Sequence, residues 1–240
     1  MKGRFYVIGV GPGDPELMTL KAIRLLERCP VWLAPKARKE GKSTALTIVE
    51  RLVPARGKEI LTQYFPMKKV RMGKTPAADV EAAWQEAAGA VLKALAAGRD
   101  VAFPTLGDPA IYSTGFYVSD TLFRLDPQVR VEIVAGVSAI GASAAAAGKP
   151  LCLGDDRMAV IPATFENGEL AEILGNFDTV VLMKVHRVMD RIVPLLAELN
   201  LLDRAVLVER TSQEGQRIRR NLREIVNEEH HYFSTIIVRK

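Results

Sequence analysis

The sequence predicts an α/β fold with two lobes, and three observations lead to that class. Short β-branched runs alternate with helical patterns through the first half of the chain. The same alternation resumes in the second half, and turns rich in glycine and proline separate the elements. A chain of 240 residues, 48% of them hydrophobic, can bury a sizeable core and could be one large domain or two small ones. We expect an N-terminal α/β lobe at 1–126 and a C-terminal α/β lobe at 127–240.

In the first lobe, strands should alternate with helices as in parallel sheets. Residues 5–10 are β-branched and aromatic and predict a strand, which leads through a glycine loop into a helix at 20–27. Thr19 or Asp14 can cap that helix with a side-chain oxygen. The longest helix is predicted at 77–97, which is rich in alanine, with Gly98 as its C-terminal cap. The other predicted elements are strands at 31–34, 59–64, 100–103 and 130–134 and helices at 44–52 and 112–124.

The second lobe should begin with an alanine-dense helix at 139–147, stopped by Gly148 and Pro150. The small residues of this helix allow close packing against a neighbour. Cys152, which follows, is expected to be a small buried residue. The other predicted elements are strands at 157–161, 179–183, 205–208 and 233–238, helices at 170–174 and 187–199, and a run of undefined type at 217–224.

Composition excludes several classes of protein. No apolar run reaches the roughly 18 residues of a membrane span, and the N-terminus lacks the layout of a signal peptide, so we expect a cytoplasmic protein. The two cysteines form neither a disulfide framework nor a metal site. The histidines His186, His230 and His231 lack the spacing of metal ligands, and no metal is predicted.

The net charge of +5 is distributed in basic clusters at 36–42, 68–74 and 217–223. Such clusters either are solvated surface or create an electric field that attracts an anionic partner. That partner could be a polycarboxylate or a nucleic acid. Few aromatic residues accompany the clusters, so the sequence does not indicate platforms for stacking bases.

Two loops are candidates for ligand binding. The segment GVGPG at 9–13 lacks the G-x-G-x-x-G spacing of dinucleotide sites, and Pro12 lacks the N–H group that a pyrophosphate would bind. The segment GDP at 107–109 follows a predicted strand and is either a simple turn or a ligand-binding loop. Because Ser113, Ser138 and Ser143 lack a nucleophile elbow, the sequence favours an enzyme that positions two ligands with few acid–base groups.

Four segments carry a resemblance to a known family, and they span nearly the whole chain. They are VIGVGPGDP at 7–15, GDPAIYST at 107–114, AGVSA at 135–139 and VERTS at 208–212. Together, in this order and spacing, they resemble the tetrapyrrole (corrin/porphyrin) methylases. The third segment departs from the family's usual Pro-Gly start, because Ala135 precedes Gly136. Within the family, segments 105–114, 209–210 and 215–217 are most similar to the branch that methylates carbon 20 of precorrin-2 or cobalt-factor II.

The resemblance implies a two-lobed tetrapyrrole methylase fold with S-adenosylmethionine in a cleft between the lobes. It also implies a homodimer, a role in cobalamin and porphyrin biosynthesis, and an anionic tetrapyrrole as substrate. A sulfonium methyl group is already activated, which agrees with the missing catalytic triad. The positions that match cofactor contacts of the family are Pro12, Leu106, Gly107, Asp108, Ile111, Ser138, Ala139, Met183 and Thr211.

Asp108 and Tyr112 are the candidate catalytic residues. Asp108 either holds the turn and positions the cofactor, which we favour, or steers the substrate at the site of methyl transfer. Tyr112 is either a packed aromatic residue at a helix start or a hydroxyl that lines the cleft. The basic loops are expected to border the substrate and to contact its carboxylates through Lys36, Lys39, Lys68 and Lys69.

Three alternatives to carbon-20 methylation stay open. One is a uroporphyrinogen or other precorrin methylase of the same fold, and a second is the branch of the family that methylates ribosomal RNA. The third is a non-enzymatic binder of anionic tetrapyrroles. The lack of aromatic residues beside the basic loops argues against RNA as substrate, and we expect neither a nucleic-acid nor a membrane partner.

Overall fold

A computed structural model describes residues 2–68, 70, 73 and 75–240. Within these residues the chain divides into two compact units, one ending at Ser138 and the other beginning at Ala139. The strands are β1 (Phe5–Gly9), β2 (Val31–Lys36), β3 (Glu59–Tyr64), β4 (Val101–Thr105), β5 (Val131–Val134), β6 (Met158–Pro162), β7 (Thr179–Met183), β8 (Ala205–Glu209), β9 (Arg217–Arg219) and β10 (Ser234–Arg239). The α-helices are α1 (Leu20–Arg28), α2 (Thr44–Val49), α3 (Ala78–Ala96), α4 (Thr114–Leu125), α5 (Ala139–Ala147), α6 (Asn167–Asn176) and α7 (Met189–Glu198).

The first unit is built on a parallel sheet with the strand order β3-β2-β4-β1-β5. All residues of β1 are buried because apolar side chains cover both faces of the strand. Phe5 and Val7 belong to one core cluster, and Tyr6 and Ile8 belong to another. Strand β5 lies beyond the expected lobe boundary at 126/127, yet it pairs with β1 and therefore completes this first sheet.

The second unit contains a mixed sheet with the strand order β6-β7-β10-β8-β9. Strands β6 and β7 are parallel, and the other pairs are antiparallel. Helix α5 packs on this sheet through Ala144 and Ala147, which lie in one cluster with Val206, Val208 and Ile237. The alanine-dense sequence is therefore used for close packing against β8 and β10, as expected. The mixed α/β class that the sequence predicted is confirmed.

Several local predictions can be compared directly with the structure. Thr19 caps α1, since its hydroxyl accepts a hydrogen bond from the Ala22 N–H group. Helix α4 begins at Thr114 and not at 112, because Ser113 is the N-cap and Tyr112 has a left-handed backbone with a φ of 55°. The expectation that Cys152 is buried was wrong, because its side chain is exposed. No helix in the described part of the chain is long and apolar enough to cross a membrane.

Candidate functional site

The candidate site of the first unit is formed by the loops that follow β1, β4 and β5. These three strands are neighbours and parallel, so their carboxyl ends meet at the same edge of the sheet. The loops are 10–14, 106–113 and 135–138. In open α/β sheets this edge is where ligands bind, because backbone groups are exposed there. The structure therefore brings the first three segments of the family resemblance together.

Three glycines allow the loops to approach one another closely. A Cβ atom at Gly9 would lie 2.7 Å from the Gly107 carbonyl oxygen and 2.8 Å from the Gly136 Cα atom. A Cβ atom at Gly136 would in turn lie 2.8 Å from the Gly9 Cα atom. Gly11 and Gly107 form a bridge in which the Gly107 N–H group donates to the Gly11 carbonyl at 2.8 Å. Only glycine fits at positions 9 and 136, so the backbones of these loops pack directly against one another.

Asp108 connects two of these loops through both of its carboxylate oxygens. Oδ1 accepts a hydrogen bond from the Ala110 N–H group at 2.8 Å, within its own loop. Oδ2 accepts one from the Gly136 N–H group at 2.8 Å, in the loop after β5. Hydrogen bonds to an ionised acceptor are stronger than neutral ones, so this carboxylate is an effective clamp. The geometry favours the turn-holding role for Asp108 over substrate steering.

The residues after Asp108 connect the loop to α4. The Ser113 hydroxyl accepts from the Gly115 N–H group and lies 3.0 Å from the buried Thr105 hydroxyl. Tyr112, just before this cap, is 51% exposed, and partial burial raises the pKa of its phenol. The phenol is therefore protonated at neutral pH, and Tyr112 is a surface residue of the loop rather than a packed one.

The other candidate cofactor residues of the first unit differ in exposure. Pro12 is buried in the glycine loop, whereas Leu106, Ile111 and Ser138 are half-buried. Half-buried aliphatic side chains beside polar groups are typical of sites that hold a ligand with both polar and apolar parts.

In the second unit, the structure connects Thr211 to the helix that begins at Ala139. Thr211 is buried after β8, and its hydroxyl lies 2.6 Å from the hydroxyl of Ser143 in α5. The flanking residues Arg210 and Ser212 have left-handed backbones, with φ values of 49° and 56°. Met183 is half-buried at the end of β7. The sequence pattern tests Ser143 only as a nucleophile and does not indicate that it is the partner of Thr211.

A buried carboxylate of the second unit was also missed. The Glu209 side chain is 1% exposed, and its Oε2 atom lies 2.6 Å from Arg217 Nη2. Oε1 accepts from the His231 N–H group at 2.9 Å and lies 3.3 Å from His230 Nδ1. Burial disfavours the charged form, but the His231 N–H group and the charge of Arg217 outweigh burial, so the pKa of Glu209 lies below its ordinary value. In the segment VER at 208–210, Val208 and Glu209 are buried and Arg210 is exposed, so the segment by itself did not indicate a buried carboxylate.

The lysines expected to bind substrate lie near the same sheet edge as the Gly-Asp-Pro loop. Lys36 ends β2, and Lys68 follows β3, which is parallel to β2. The Lys36 ammonium donates to the Lys39 carbonyl at 2.7 Å, and Lys39 itself is exposed. Lys68 forms an ion pair with Asp79 at 2.7 Å. Lys69 lies outside the described residues.

The described residues contain no group of three or more side chains that could hold a metal ion. The site in the first unit instead offers backbone groups, aliphatic side chains and a structural carboxylate. Such an arrangement can bind and orient a ligand but lacks a strong general base. Its chemistry is therefore of the kind in which proximity and orientation supply most of the rate.

Comparison with known proteins shows the family of this chain. The family model of the Tetrapyrrole (Corrin/Porphyrin) Methylases matches residues 4–226. The chain therefore belongs to the tetrapyrrole methylases, a family recognised above from the loops at the sheet edge and the segment after β8.

The names of individual relatives specify the methylation reaction more narrowly than the family does. The chain is 37% identical to the cobalt-precorrin-2 C(20)-methyltransferase of Salmonella typhimurium, over 100% of this chain and 98% of that protein. It is 35% identical to a precorrin-2 C(20)-methyltransferase of a Sinorhizobium species, over 98% and 95% of the two chains. Among solved structures, a uroporphyrin-III C-methyl transferase from Thermus thermophilus, complexed with S-adenyl homocysteine, superposes with a TM-score of 0.68. It is 27% identical, over 98% of this chain and 92% of the other.

Proposed function

We propose that this protein transfers a methyl group from S-adenosylmethionine to carbon 20 of precorrin-2 or cobalt-factor II, a step of cobalamin biosynthesis. The observation that carries the proposal is the full-length similarity, at 35–37% identity, to two methyltransferases named for that carbon. The converging glycine loops support it, because they lie at the sheet edge where open α/β folds bind ligands.

S-adenosylmethionine supplies, when bound, a methyl group on a positively charged sulfur, which a nucleophilic ring carbon can attack directly. The chain's own task is then to hold both ligands in line and to exclude water. Orientation of this kind is worth roughly 7–11 kcal/mol at best. The lack of a nucleophile elbow is consistent with a reaction in which the cofactor supplies the activated methyl group and the protein supplies orientation.

The loops of the first unit are the proposed cofactor contacts. Pro12 would shape the glycine loop, and Asp108 would hold the Gly107 turn against the loop that contains Gly136. Leu106 and Ile111 would contact apolar parts of the cofactor, and Ser138 its polar part. From the second unit, we propose Ala139, Met183 and Thr211 as further contacts on the basis of the family resemblance.

The anionic tetrapyrrole is the proposed partner of the basic loops. Lys36, Lys39 and Lys68 lie at or beyond the carboxyl ends of β2 and β3, and Lys69 is proposed with them from the sequence alone. Tyr112 is exposed in the neighbouring loop after β4 and is the proposed hydroxyl at the substrate side of the site. Ammonium groups are suited to substrate carboxylates because they are compact charges on flexible side chains.

The decisive experiment is incubation of the protein with S-adenosylmethionine and either metal-free or cobalt-loaded substrate. We expect a product that is heavier by one methylene, with the new methyl group located on carbon 20 by NMR. The two substrates are compared by their kcat/KM values. Two results together would contradict the proposal: a product without added mass, and no cofactor binding in calorimetry at high micromolar concentration. The protein would then be a non-enzymatic tetrapyrrole binder.

A second candidate is methylation of uroporphyrinogen, favoured by the superposition on the uroporphyrin-III C-methyl transferase. Its lower identity, 27% against 35–37%, makes it the weaker choice. The same NMR experiment separates the two, because the methyl group would then appear on a different ring carbon.

We further propose that the protein is a homodimer, as members of the family typically are, and that it is cytoplasmic. Sedimentation velocity at micromolar concentration tests the first point, and a mass of one chain at all concentrations would refute it. Cell fractionation tests the second.

A further inference from the structure

A cavity of the first unit lies at the opposite end of the sheet from the glycine loops. It has a volume of about 740 Å³. Arg4, Asp100 and Arg130 line it, and each lies immediately before the start of a strand: β1, β4 and β5 respectively. Because β1 has 5 residues, this edge is roughly 16 Å from the loops that follow the same strands. The cavity is thus separate from the proposed cofactor site.

The lining of this cavity is strongly cationic. Five basic side chains face two carboxylates, and Tyr6 and Leu25 complete the wall. The basic side chains are Arg4, Lys21, Arg24, Arg28 and Arg130. The carboxylates of Asp100 and Glu132 cannot neutralise them, so a net charge of three positive units remains in one depression (five minus two).

The pairing of these groups shows where the surplus charge lies. Glu132 is shared by Arg4, at 2.9 Å, and Lys21, at 2.8 Å. Arg28 is 3.7 Å from Asp100, a loose contact, and it donates to the Tyr6 hydroxyl at 2.5 Å. Arg130 donates to the Lys2 carbonyl. The Arg24 side chain has no ion pair or hydrogen bond among the residues that the structure describes.

We propose that this cavity, which we call the amino-edge cavity, binds a small multivalent oxyanion with phosphate or carboxylate groups. Guanidinium groups bind both kinds of group through paired N–H donors, and several of them around one cavity select for multiple negative charge. A volume of about 740 Å³ is in the range of small-molecule sites. Arg24 and Arg28 are the principal contacts, because neither is closely paired with a carboxylate. The Arg24 side chain has no ion pair among the described residues, and Arg28 lies 3.7 Å from Asp100 and donates to the Tyr6 hydroxyl.

The lining distinguishes this ligand from a nucleic acid. Tyr6 is the aromatic residue of the cavity, and it is only 3% exposed, so no base could stack on its ring.

The proposal is tested by titration calorimetry of the whole protein with tripolyphosphate, and in a parallel arm with citrate. One site per chain is expected for the preferred anion, and the arm with the higher affinity identifies phosphate or carboxylate as the ligand group. Arg24→Gln should weaken binding about tenfold, which corresponds to the loss of one charge-assisted contact. The double variant R24Q/R28Q should abolish measurable binding.

The matched control is R51Q/R56Q, which removes two exposed arginines of the same unit that lie outside the cavity. This control should bind tripolyphosphate as the wild type does. Equal weakening in both double variants would show non-specific attraction to net charge and would overturn the proposal, as would failure of both anions to bind the wild type. Retained methyl transfer in R24Q shows that the variant is folded, and the result does not depend on which ring carbon the enzyme methylates.

Discussion

Both carboxylate oxygens of Asp108 accept backbone hydrogen bonds, and this makes the conservative change to asparagine informative. In Asp108→Asn, one oxygen becomes an NH₂ group that faces an N–H donor at either Ala110 or Gly136. The lost hydrogen bond costs about 1–3 kcal/mol in the local geometry of the loop. We expect the fold to be kept and kcat/KM to fall by roughly ten- to hundredfold, measured by initial rates of methyl transfer.

Asp120→Asn is the control for that variant, because Asp120 is exposed on α4. It should have wild-type kinetics. Wild-type turnover in Asp108→Asn as well would remove this carboxylate from the functional site.

The convergence of Gly9, Gly107 and Gly136 gives a second prediction for a single residue. In Gly136→Ala, the new Cβ atom would overlap the Gly107 carbonyl oxygen and lie 2.8 Å from the Gly9 Cα atom. Both neighbours are backbone atoms that cannot rotate away, so overpacking should cost about 1–3 kcal/mol. We expect the melting temperature to fall by roughly 2–10 °C, together with weaker binding of S-adenosylmethionine in calorimetry.

Gly89→Ala is its counterpart within the same unit. Gly89 lies inside α3, and a Cβ atom there would meet nothing within 4 Å. Alanine should stabilise this helix by about 0.5–1 kcal/mol. If both variants changed the melting temperature in the same direction, the argument from close backbone approach would be wrong.

At the scale of elements, the contact between α5 and the turn after β8 depends on two hydroxyl groups. The Thr211 and Ser143 oxygens are 2.6 Å apart, and both residues are buried. Thr211→Val leaves the Ser143 hydroxyl without this partner, which should cost about 1–3 kcal/mol. The pair Thr211→Val with Ser143→Ala removes both polar groups and should cost less than the sum of the single changes. Urea unfolding of all four proteins measures the coupling, and strict additivity would show that the contact contributes nothing.

The buried Glu209 connects β8 to β9 and to the segment before β10, and we expect it to make the stability of the second unit dependent on pH. The pKa of Glu209 lies below its ordinary value of roughly 4.3. Its contribution to stability is therefore fully present above that ordinary pKa and is lost as pH falls through the lower folded value. We expect Glu209→Gln to lower the free energy of unfolding at pH 7 and to flatten its decline between about pH 5 and 3.

Glu228→Gln is the matched control, because Glu228 pairs with the same arginine, Arg217, at 3.2 Å but is 40% exposed. Exposed pairs contribute about 0–1 kcal/mol, so this variant should keep the wild-type acid profile. Urea unfolding at a series of pH values measures both variants. A parallel profile for Glu209→Gln and the wild type would exclude Glu209 as the group that titrates.

The elements also show what the sequence could predict. Residues 5–9 and 101–105 were predictable as strands because β-branched and aromatic residues dominate such buried runs. The start of α4 was not, since the left-handed backbone of Tyr112 depends on how the loop is held and not on local preference. The Glu209 cluster was also out of reach, because Arg217, His230 and Ser234 meet only after β8, β9 and β10 have paired.

For the whole molecule, the arrangement of parallel strands determined how much of the site could be predicted. The sequence indicated the loops after β1 and β4 as separate candidates for ligand binding, but it did not show that they lie together. Only the strand order, with β1 between β4 and β5, brings Gly9, Gly107 and Gly136 into contact. The amino-edge cavity had no sequence signal, because Arg4, Arg24 and Arg130 belong to different segments that the same strand order assembles.

Long-range electrostatics give the last prediction at this scale. The chain has a net charge of +5, and the proposed substrate carries several carboxylates. In Lys39→Gln, the lost charge lies in the exposed loop after β2, so the KM for substrate should rise about three- to tenfold with little change in kcat. Raising the salt concentration from about 0.05 to 0.5 M should raise the wild-type KM more than that of the variant.

Lys93→Gln is the control, because it removes an equal charge from the exposed side of α3 and should leave KM unchanged. Equal effects of the two variants would mean that net charge, and not the loop, attracts the substrate.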